Sequence, residues 1–108
     1  MDTFYALAEP KRRSIVEMLS RKGQLSASEI STKFHVSPPA ISQHLKVLRE
    51  ANIVYMEKRA QQRLYKINLG AIAEIEHWAK DITQRWNARF DALDKMLKSL
   101  PIKPNGNR

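Results

Sequence analysis

The residues of this chain best suited to specific hydrogen bonding lie on one short segment. Gln43 offers a carboxamide that both donates and accepts, and Lys46 offers an ammonium group that pairs with anions such as phosphate. No Asp or Glu occurs from Pro38 to Arg49, so nothing in that segment repels an anion before Glu50. This chemistry is noncovalent and suits contacts with bases and phosphates rather than catalysis.

The spacing of the residues around Gln43 predicts an amphipathic helix. Ser37 is a suitable cap and Pro38 a suitable first helical residue, and the helix is predicted to run to about Ala51. Apolar residues at i, i+4 and i+7 are expected to face the core, namely Ile41, Leu45 and Leu48. The polar side lies nearly opposite and consists of Pro39, Gln43 and Lys46, flanked by Ser42.

A shorter helix is predicted just before this one. Ser26 and Glu29 have the spacing of a capping box, in which each side chain accepts a hydrogen bond from the other residue's backbone N–H group. The box predicts a helix to about Phe34, interrupted at residues 35–37. Two helices joined by a three-residue turn, the second of them amphipathic, form a helix-turn-helix.

A basic hairpin is predicted after the helix-turn-helix. Strand-forming residues at 54–56 and 64–67 flank a polar centre at residues 58–63. A solvated hairpin would have the same pattern, but its place in the chain favours a wing with a basic tip. Twelve of the nineteen Lys and Arg residues, but only six of the eleven Asp and Glu residues, lie in residues 1–66. Such a concentrated positive field attracts nucleic acid.

Two short helices are predicted in the first 22 residues. Asp2 can cap the first, and Pro10 suits the first position of the second. The basic run at residues 11–13 then lies where cations oppose the helix dipole. Either it attracts an external anion such as phosphate, or its side chains are solvated or pair with Glu9 and Glu17. We favour the second interpretation.

Residues 69–100 are predicted to form one long helix. Apolar residues recur every seven positions with companions between them, and Arg89 interrupts the second stripe. Globular helices average about 11–12 residues, and a sustained heptad stripe requires a partner helix. We therefore predict homodimerisation, at Phe4, Leu7, Ile72, Ile75, Ala79, Ile82, Trp86 and Leu93. Residues 1–100 are expected to form one domain and 101–108 a disordered tail.

Composition excludes several classes of protein. The chain has 108 residues, which suits a single domain, and a net charge of +8. It contains no cysteine, which excludes disulfides, thiolate nucleophiles and thiolate metal ligands. The longest apolar run, at residues 4–8, is far shorter than the about 20 residues of a membrane span, and no signal-peptide pattern opens the chain. We expect a cytoplasmic protein that has no membrane partner.

No catalytic or metal-binding constellation can be assembled from the sequence. GxSxG, HExxH and glycine-rich phosphate motifs are absent. The histidines, His35, His44 and His77, lie on different predicted elements. Glu74 and His77 are spaced i, i+3 on the long helix, but two ligands do not complete a metal site. We predict neither an enzyme nor a bound cofactor or metal.

Taken together, these elements resemble the ArsR family of winged helix-turn-helix regulators, over about residues 3–100. The resemblance rests on the segments 7–15 (LAEPKRRSI), 36–51 (VSPPAISQHLKVLREA) and 63–65 (RLY). It implies a mainly α fold, a winged helix-turn-helix with a two-stranded β-wing and a long C-terminal dimerisation helix. It also implies a homodimeric repressor that occupies a pseudo-palindromic operator in double-stranded DNA and leaves when a signal arrives.

Departures from the family pattern bear on this implied function. Metal-sensing members carry cysteines where this chain has Ser26 and Ser28, and the family's acidic and histidine metal pairs on the terminal helix are absent. The stretch from Trp78 to Leu93 is similar to a metal-free branch of the family. The wing has Ala60 where Gly is usual and Gln61 where Arg is common, which implies a weaker grip on DNA.

The residues expected to contact DNA lie on the second helix of the helix-turn-helix and on the wing. Gln43 is expected to contact a base, because a carboxamide can bond adenine in a bidentate manner, and Lys46 to contact phosphate. The full predicted set is Ser37, Pro39, Ala40, Ser42, Gln43, Lys46, Arg59, Gln62 and Arg63. Two alternatives stay open: a protein-interaction module that does not bind DNA, and a sensor with an unrecognised small-molecule or metal site. The sequence identifies no inducer.

Overall fold

The computed structural model describes residues 2–101, so almost all of the predicted tail lies outside the described residues. Within them the elements are α1 (Thr3–Leu7), α2 (Pro10–Lys22), β1 (Leu25–Ser26), α3 (Ala27–Phe34), α4 (Pro38–Glu50), β2 (Val54–Arg59), β3 (Gln62–Ile67) and α5 (Leu69–Lys98). The chain divides into two compact units, one up to Ala73 and one from Glu74 onwards.

The helix boundaries in the first unit follow from caps that the sequence carries. The Asp2 carboxylate accepts a backbone N–H in the first turn of α1, and the Glu9 carboxylate accepts two in the first turn of α2. Ser26 and Glu29 form both hydrogen bonds of the predicted capping box. Gly23 ends α2 with φ 86°, a left-handed value that glycine adopts without a Cβ clash. The predicted helix starts are confirmed.

The core of the first unit is built from the inward faces of its helices and of the wing. Its fully buried large side chains come mainly from α2, α3 and α4: Ile15, Leu19, Ile30, Ile41, Leu45, Leu48 and Ile53. Each such side chain contributes about 1.5–3 kcal/mol by leaving water. The apolar stripe predicted for α4 is therefore confirmed, and its burial determines which face of α4 is turned to solvent.

A three-stranded antiparallel sheet, in the order β1-β3-β2, connects the wing to the helices. β2 and β3 form the predicted hairpin and pair as far as Arg59 and Gln62. β1 was not predicted, and it pairs with Leu64 and Tyr65 on the other side of β3. The predicted fold class is confirmed, with this third strand added to the two of the wing.

The basic run at the start of α2 has a structural role that its sequence position did not reveal. Arg12 Nε donates to the carbonyl of Ala6 over 2.7 Å, and an Nη of Arg13 donates to that of Leu7 over 2.7 Å. The interpretation of these two side chains as solvated or paired with carboxylates is corrected. The last carbonyls of a helix lack intrahelical partners and carry partial negative charge, so the guanidinium groups satisfy them.

The second unit consists of α5 from Glu74 onwards, and α5 as a whole matches the predicted long helix. Two contacts at i, i+4 lie along it: His77 Nε2 is 3.6 Å from an Asp81 carboxylate oxygen, and Lys98 forms an ion pair with Asp94 over 3.0 Å. Thirty residues of helix extend over about 45 Å. None of the helices within residues 2–101 is long and apolar enough to cross a membrane.

Candidate nucleic-acid interface

The turn between α3 and α4 is held by hydrogen bonds that set where α4 begins. His35 ends α3 with a left-handed φ of 53°. The Val36 N–H donates to the Ser31 carbonyl over 3.3 Å, and the Ser31 hydroxyl donates to the Val36 carbonyl over 2.6 Å. The Ser37 hydroxyl then accepts from the Ala40 N–H over 3.4 Å, which caps α4. The turn is therefore stabilised from both sides.

The outward face of α4 is polar. Because the stripe of Ile41, Leu45 and Leu48 is at most 1% exposed, the opposite side of the helix is in solvent. The predicted α4 residues lie there: Ser37, Pro39, Ser42, Gln43 and Lys46 are exposed, and Ala40 is half-buried. The only acidic residue of α4 is Glu50, at its last position.

The tip of the wing carries the other predicted residues. Arg59 and Gln62 are the last paired residues before a turn formed by Ala60 and Gln61, and Arg63 follows on β3. All five side chains are exposed. Ala60 has φ 54°, a left-handed conformation that costs a residue with a Cβ about 1–2 kcal/mol. The turn therefore holds strain at Ala60.

One carboxylate moderates the positive charge of the wing. Glu57 Oε1 lies 2.8 Å from Lys66 Nζ and 3.9 Å from a guanidinium nitrogen of Arg59. The hydrogen bond from Lys66, together with the charges of Lys66 and Arg59, lowers the pKa of Glu57. The Arg59 side chain is still 62% exposed, so its longer contact leaves the guanidinium accessible to a second anion.

A groove of about 450 Å³ lies between α4 and β3. It is lined by Ser42, Lys46, Arg49, Glu50, Arg63 and Tyr65. Ser42, Lys46 and Arg63 belong to the predicted set, whereas the other three do not. The signal available for Arg49 was its position three residues after Lys46, which places both on one helix face. Tyr65 joins the groove only through the packing of the wing against α4.

A depression lined by hydroxyl groups lies between α3 and α4, where Ser28, Ser31, Thr32 and Ser42 contribute. Ser28 and Ser26 are the two serines that the resemblance to the family compared with the cysteines of its metal sensors. Ser26 is 4% exposed and is engaged with Glu29, whereas Ser28 is exposed. In the part of the chain that the structure describes, no three His, Asp or Glu side chains converge as metal ligands.

The predicted dimerisation residues are distributed over both units. In the first unit, Leu7 and Ile72 pack partly against the core, and Phe4 is 45% exposed. In the second unit, Ile75 is half-buried, and Ala79, Ile82, Trp86 and Leu93 are exposed. The Trp86 ring packs edge-on against Phe90, with centroids 5.8 Å apart. Phe90, which was outside the predicted set, lines an apolar depression on α5 with Trp86, Arg89 and Leu93.

Comparison with known proteins decides the family. The model for bacterial regulatory proteins of the arsR family matches residues 9–56, from the cap of α2 into β2. The HTH-type transcriptional regulator Rv2034 of Mycobacterium tuberculosis is 33% identical over 94 residues, which are 87% of this chain and 84% of that protein. The chain belongs to the arsR family. The arsenical resistance operon repressor of Escherichia coli is also similar, at 30% identity over 98 residues, 90% of this chain and 80% of that protein.

A solved structure shows the same fold in another arsR-family protein. The ArsR-like transcriptional regulator from a Rhodococcus species has a TM-score of 0.77 at 27% identity, over 90% of this chain and 91% of that one. This arsR-family protein is therefore a DNA-binding transcriptional regulator with a winged helix-turn-helix fold. The predictions of the family and of a regulator rather than an enzyme are confirmed by these relatives.

Proposed function

We propose that this arsR-family regulator is a homodimeric repressor that occupies a pseudo-palindromic operator, blocks a promoter in the cytoplasm and does not respond to metal. The observation that carries the proposal is the outward face of α4, which is polar and free of carboxylates from Pro38 to Arg49. Such a face can lie against an anionic duplex without repulsion, and the exposed cations of the wing add attraction.

In this proposal α4 enters the major groove, which at about 12 Å admits a helix. Gln43 bonds adenine through its carboxamide, since both the donor and the acceptor are exposed. Recognition helices contact base edges chiefly with their N-terminal residues. We therefore place the residues at the start of α4 against the base edges, namely Ser37, Pro39, Ala40 and Ser42.

Phosphate contacts come from Lys46 on α4 and from Arg59, Gln62 and Arg63 on the wing. All four side chains are exposed. Contacts of this kind set affinity and register but carry no sequence information. Each neutralised phosphate also releases counterions, so the affinity must fall steeply as salt is added.

Homodimerisation is proposed through α1 and α5, with residues 1–100 acting as one functional domain. On α5, Ile82, Trp86 and Leu93 recur along one face and are 42%, 60% and 50% exposed. An exposed apolar stripe of this length is unfavourable in water, and a second helix packed on it would cover it. Two-fold symmetry then places two half-sites about 34–36 Å apart, or a multiple of that distance.

Metal independence is proposed from the chemistry of the residues at the cysteine positions. The backbone N–H of Ser26 donates to the Glu29 carboxylate over 2.8 Å, and its hydroxyl accepts from the Glu29 N–H over 3.1 Å. Removing such a cap costs about 1 kcal/mol. A serine hydroxyl is in addition a poor replacement for the soft thiolate ligand that a metal sensor uses.

Selection of duplexes from a random pool by the purified protein tests the proposal. We expect enrichment of an inverted repeat with about 34–36 Å between half-site centres, and an affinity that falls steeply with salt. Gln43→Ala should relax the preference at one position per half-site and leave the salt dependence unchanged. Failure of the wild type to bind any duplex in a salt-dependent way would overturn the proposal and favour a protein-interaction module.

A further inference from the structure

Three cations line the groove between α4 and β3, and none of them is paired with a carboxylate of residues 2–101. Lys46 and Arg49 belong to the α4 wall and Arg63 to the β3 wall. Among residues 2–101, none of the three side chains forms an ion pair within 4 Å. Glu50 lines the same groove and also forms none there. The groove is therefore lined by three cationic side chains and one carboxylate, and this excess of positive charge attracts an anion.

The sheet supplies this groove with a hydroxyl group. Tyr65 is only 5% exposed, and its ring packs in the core. Within the described residues no side-chain nitrogen or oxygen is both buried and unpartnered, and the Tyr65 hydroxyl forms no hydrogen bond there. The hydroxyl must therefore reach solvent, and Tyr65 is one of the residues that line the groove. It is a fixed donor, because the packed ring restricts its movement.

We infer that this groove binds one phosphate of the DNA backbone, held by Lys46, Arg49 and Arg63 together with the hydroxyl of Tyr65. The inference rests on the proposed function and adds Arg49 and Tyr65 to the contacts expected from the sequence. A phosphodiester carries one negative charge over two nonbridging oxygens, and a guanidinium can donate two parallel N–H groups to them. The phosphate is thus bound by α4 and by the wing at the same time. This contact fixes the position of both elements along one DNA strand.

Glu50 and Arg49 are adjacent residues of opposite charge in this groove, so their substitution should change the affinity for DNA in opposite directions. A carboxylate that lines a phosphate site repels the phosphate. Neutralising Glu50 should therefore tighten DNA binding, whereas neutralising its neighbour Arg49 should weaken it. If a phosphate binds in this groove, the two substitutions must change the affinity for DNA in opposite directions. Both changes must also be larger than those caused by the same substitutions outside the groove.

The test is a set of binding titrations on one fixed operator duplex at several salt concentrations. Arg49→Gln should weaken binding several-fold. It should reduce the salt slope by less than the about 0.9 per subunit that a whole phosphate contributes, because Lys46 and Arg63 still neutralise part of its charge. Glu50→Gln should tighten binding several-fold. Tyr65→Phe removes only a hydroxyl, so it should weaken binding about twofold to tenfold and leave the salt slope unchanged.

Matched controls are available on α2, where Glu17 and Arg21 are exposed. Glu17→Gln and Arg21→Gln make the same charge changes away from the groove, and urea unfolding verifies that every variant is folded. If the wild type binds the duplex but Arg49→Gln and Glu50→Gln behave like these controls, the groove site is overturned and the proposed function stands. If Tyr65→Phe binds like the wild type, the hydroxyl is not part of the site. If the wild type itself fails to bind duplex DNA, it is the proposed function that fails.

Discussion

Arg12 Nε lies 2.7 Å from the carbonyl oxygen of Ala6, so the first turn of α2 closes the end of α1. The same guanidinium donates to the Tyr5 carbonyl over 3.4 Å, and its carbon lies 5.6 Å from the centroid of the Tyr5 ring. A helix of five residues is too short to be stable alone. The position of α1, and with it that of Phe4 and Leu7, therefore depends on these contacts.

Replacement of Arg12 should loosen α1. Arg12→Gln removes the charge-assisted hydrogen bonds to the end of α1, and we expect the free energy of unfolding to fall by about 1–2 kcal/mol. Urea unfolding measures this loss. Lys11→Gln is the matched control, because the exposed Lys11 ammonium forms no ion pair or side-chain hydrogen bond within residues 2–101. An equal loss in both variants would show that the effect comes from net charge rather than from the contact with α1.

Acid should weaken the capping box of α3. The hydrogen bonds that the backbone N–H and the side chain of Ser26 make with the Glu29 carboxylate lower the pKa of Glu29. Because the folded pKa lies below the ordinary value of 4.5, the contribution of the box is complete above that pH and is lost as the pH falls through the folded pKa.

This pH dependence can be isolated with one substitution. Glu29→Gln has no proton to gain, although its carboxamide oxygen can still accept from the Ser26 N–H. The melting temperature of the wild type should therefore fall more steeply than that of Glu29→Gln between about pH 6 and about pH 3, as followed by circular dichroism. Parallel curves for the two proteins would contradict a role of the Glu29 charge.

The turn of the wing should become more stable with glycine. Ala60 adopts φ 54°, and Ala60→Gly removes the Cβ penalty at the cost of a more flexible unfolded chain. We expect a net gain of about 0.5–1 kcal/mol in the free energy of unfolding, measured in urea. Ala73→Gly, at an exposed position inside α5, should lose about 1 kcal/mol instead. A loss at position 60 as well would mean that the turn is not strained.

The elements that the sequence predicted well have signals that lie within a few residues. Pro10 and Pro38 mark the first positions of α2 and α4, and the Ser26–Glu29 box marks α3. The stripe of α4 repeats at helical spacing and so predicted both its buried side and its exposed side. For this reason the sequence alone predicted the outward face of α4, on which the proposed function depends.

The features that the sequence did not predict arise between elements that are distant along the chain. β1 has two residues and exists as a strand only because they pair with Leu64 and Tyr65. The partners of Arg12 and Arg13 are carbonyl groups, which no side-chain pattern reveals. The groove likewise needs Arg49 and Tyr65 to be brought together by the packing of α4 against the wing.

The apolar face of α5 provides the sharpest test of the proposed dimer. Trp86 is 60% exposed and packs edge-on against Phe90, so a second helix on this face would bury both rings. Trp86→Asp would then remove the large apolar ring from the interface and bury a charge there, at a cost of several kcal/mol, and we expect a monomer in sedimentation equilibrium. Gln84→Asp introduces the same residue at an exposed position outside the stripe and should remain a dimer. If the Trp86→Asp variant still sediments as a dimer, the interface does not lie on this face of α5.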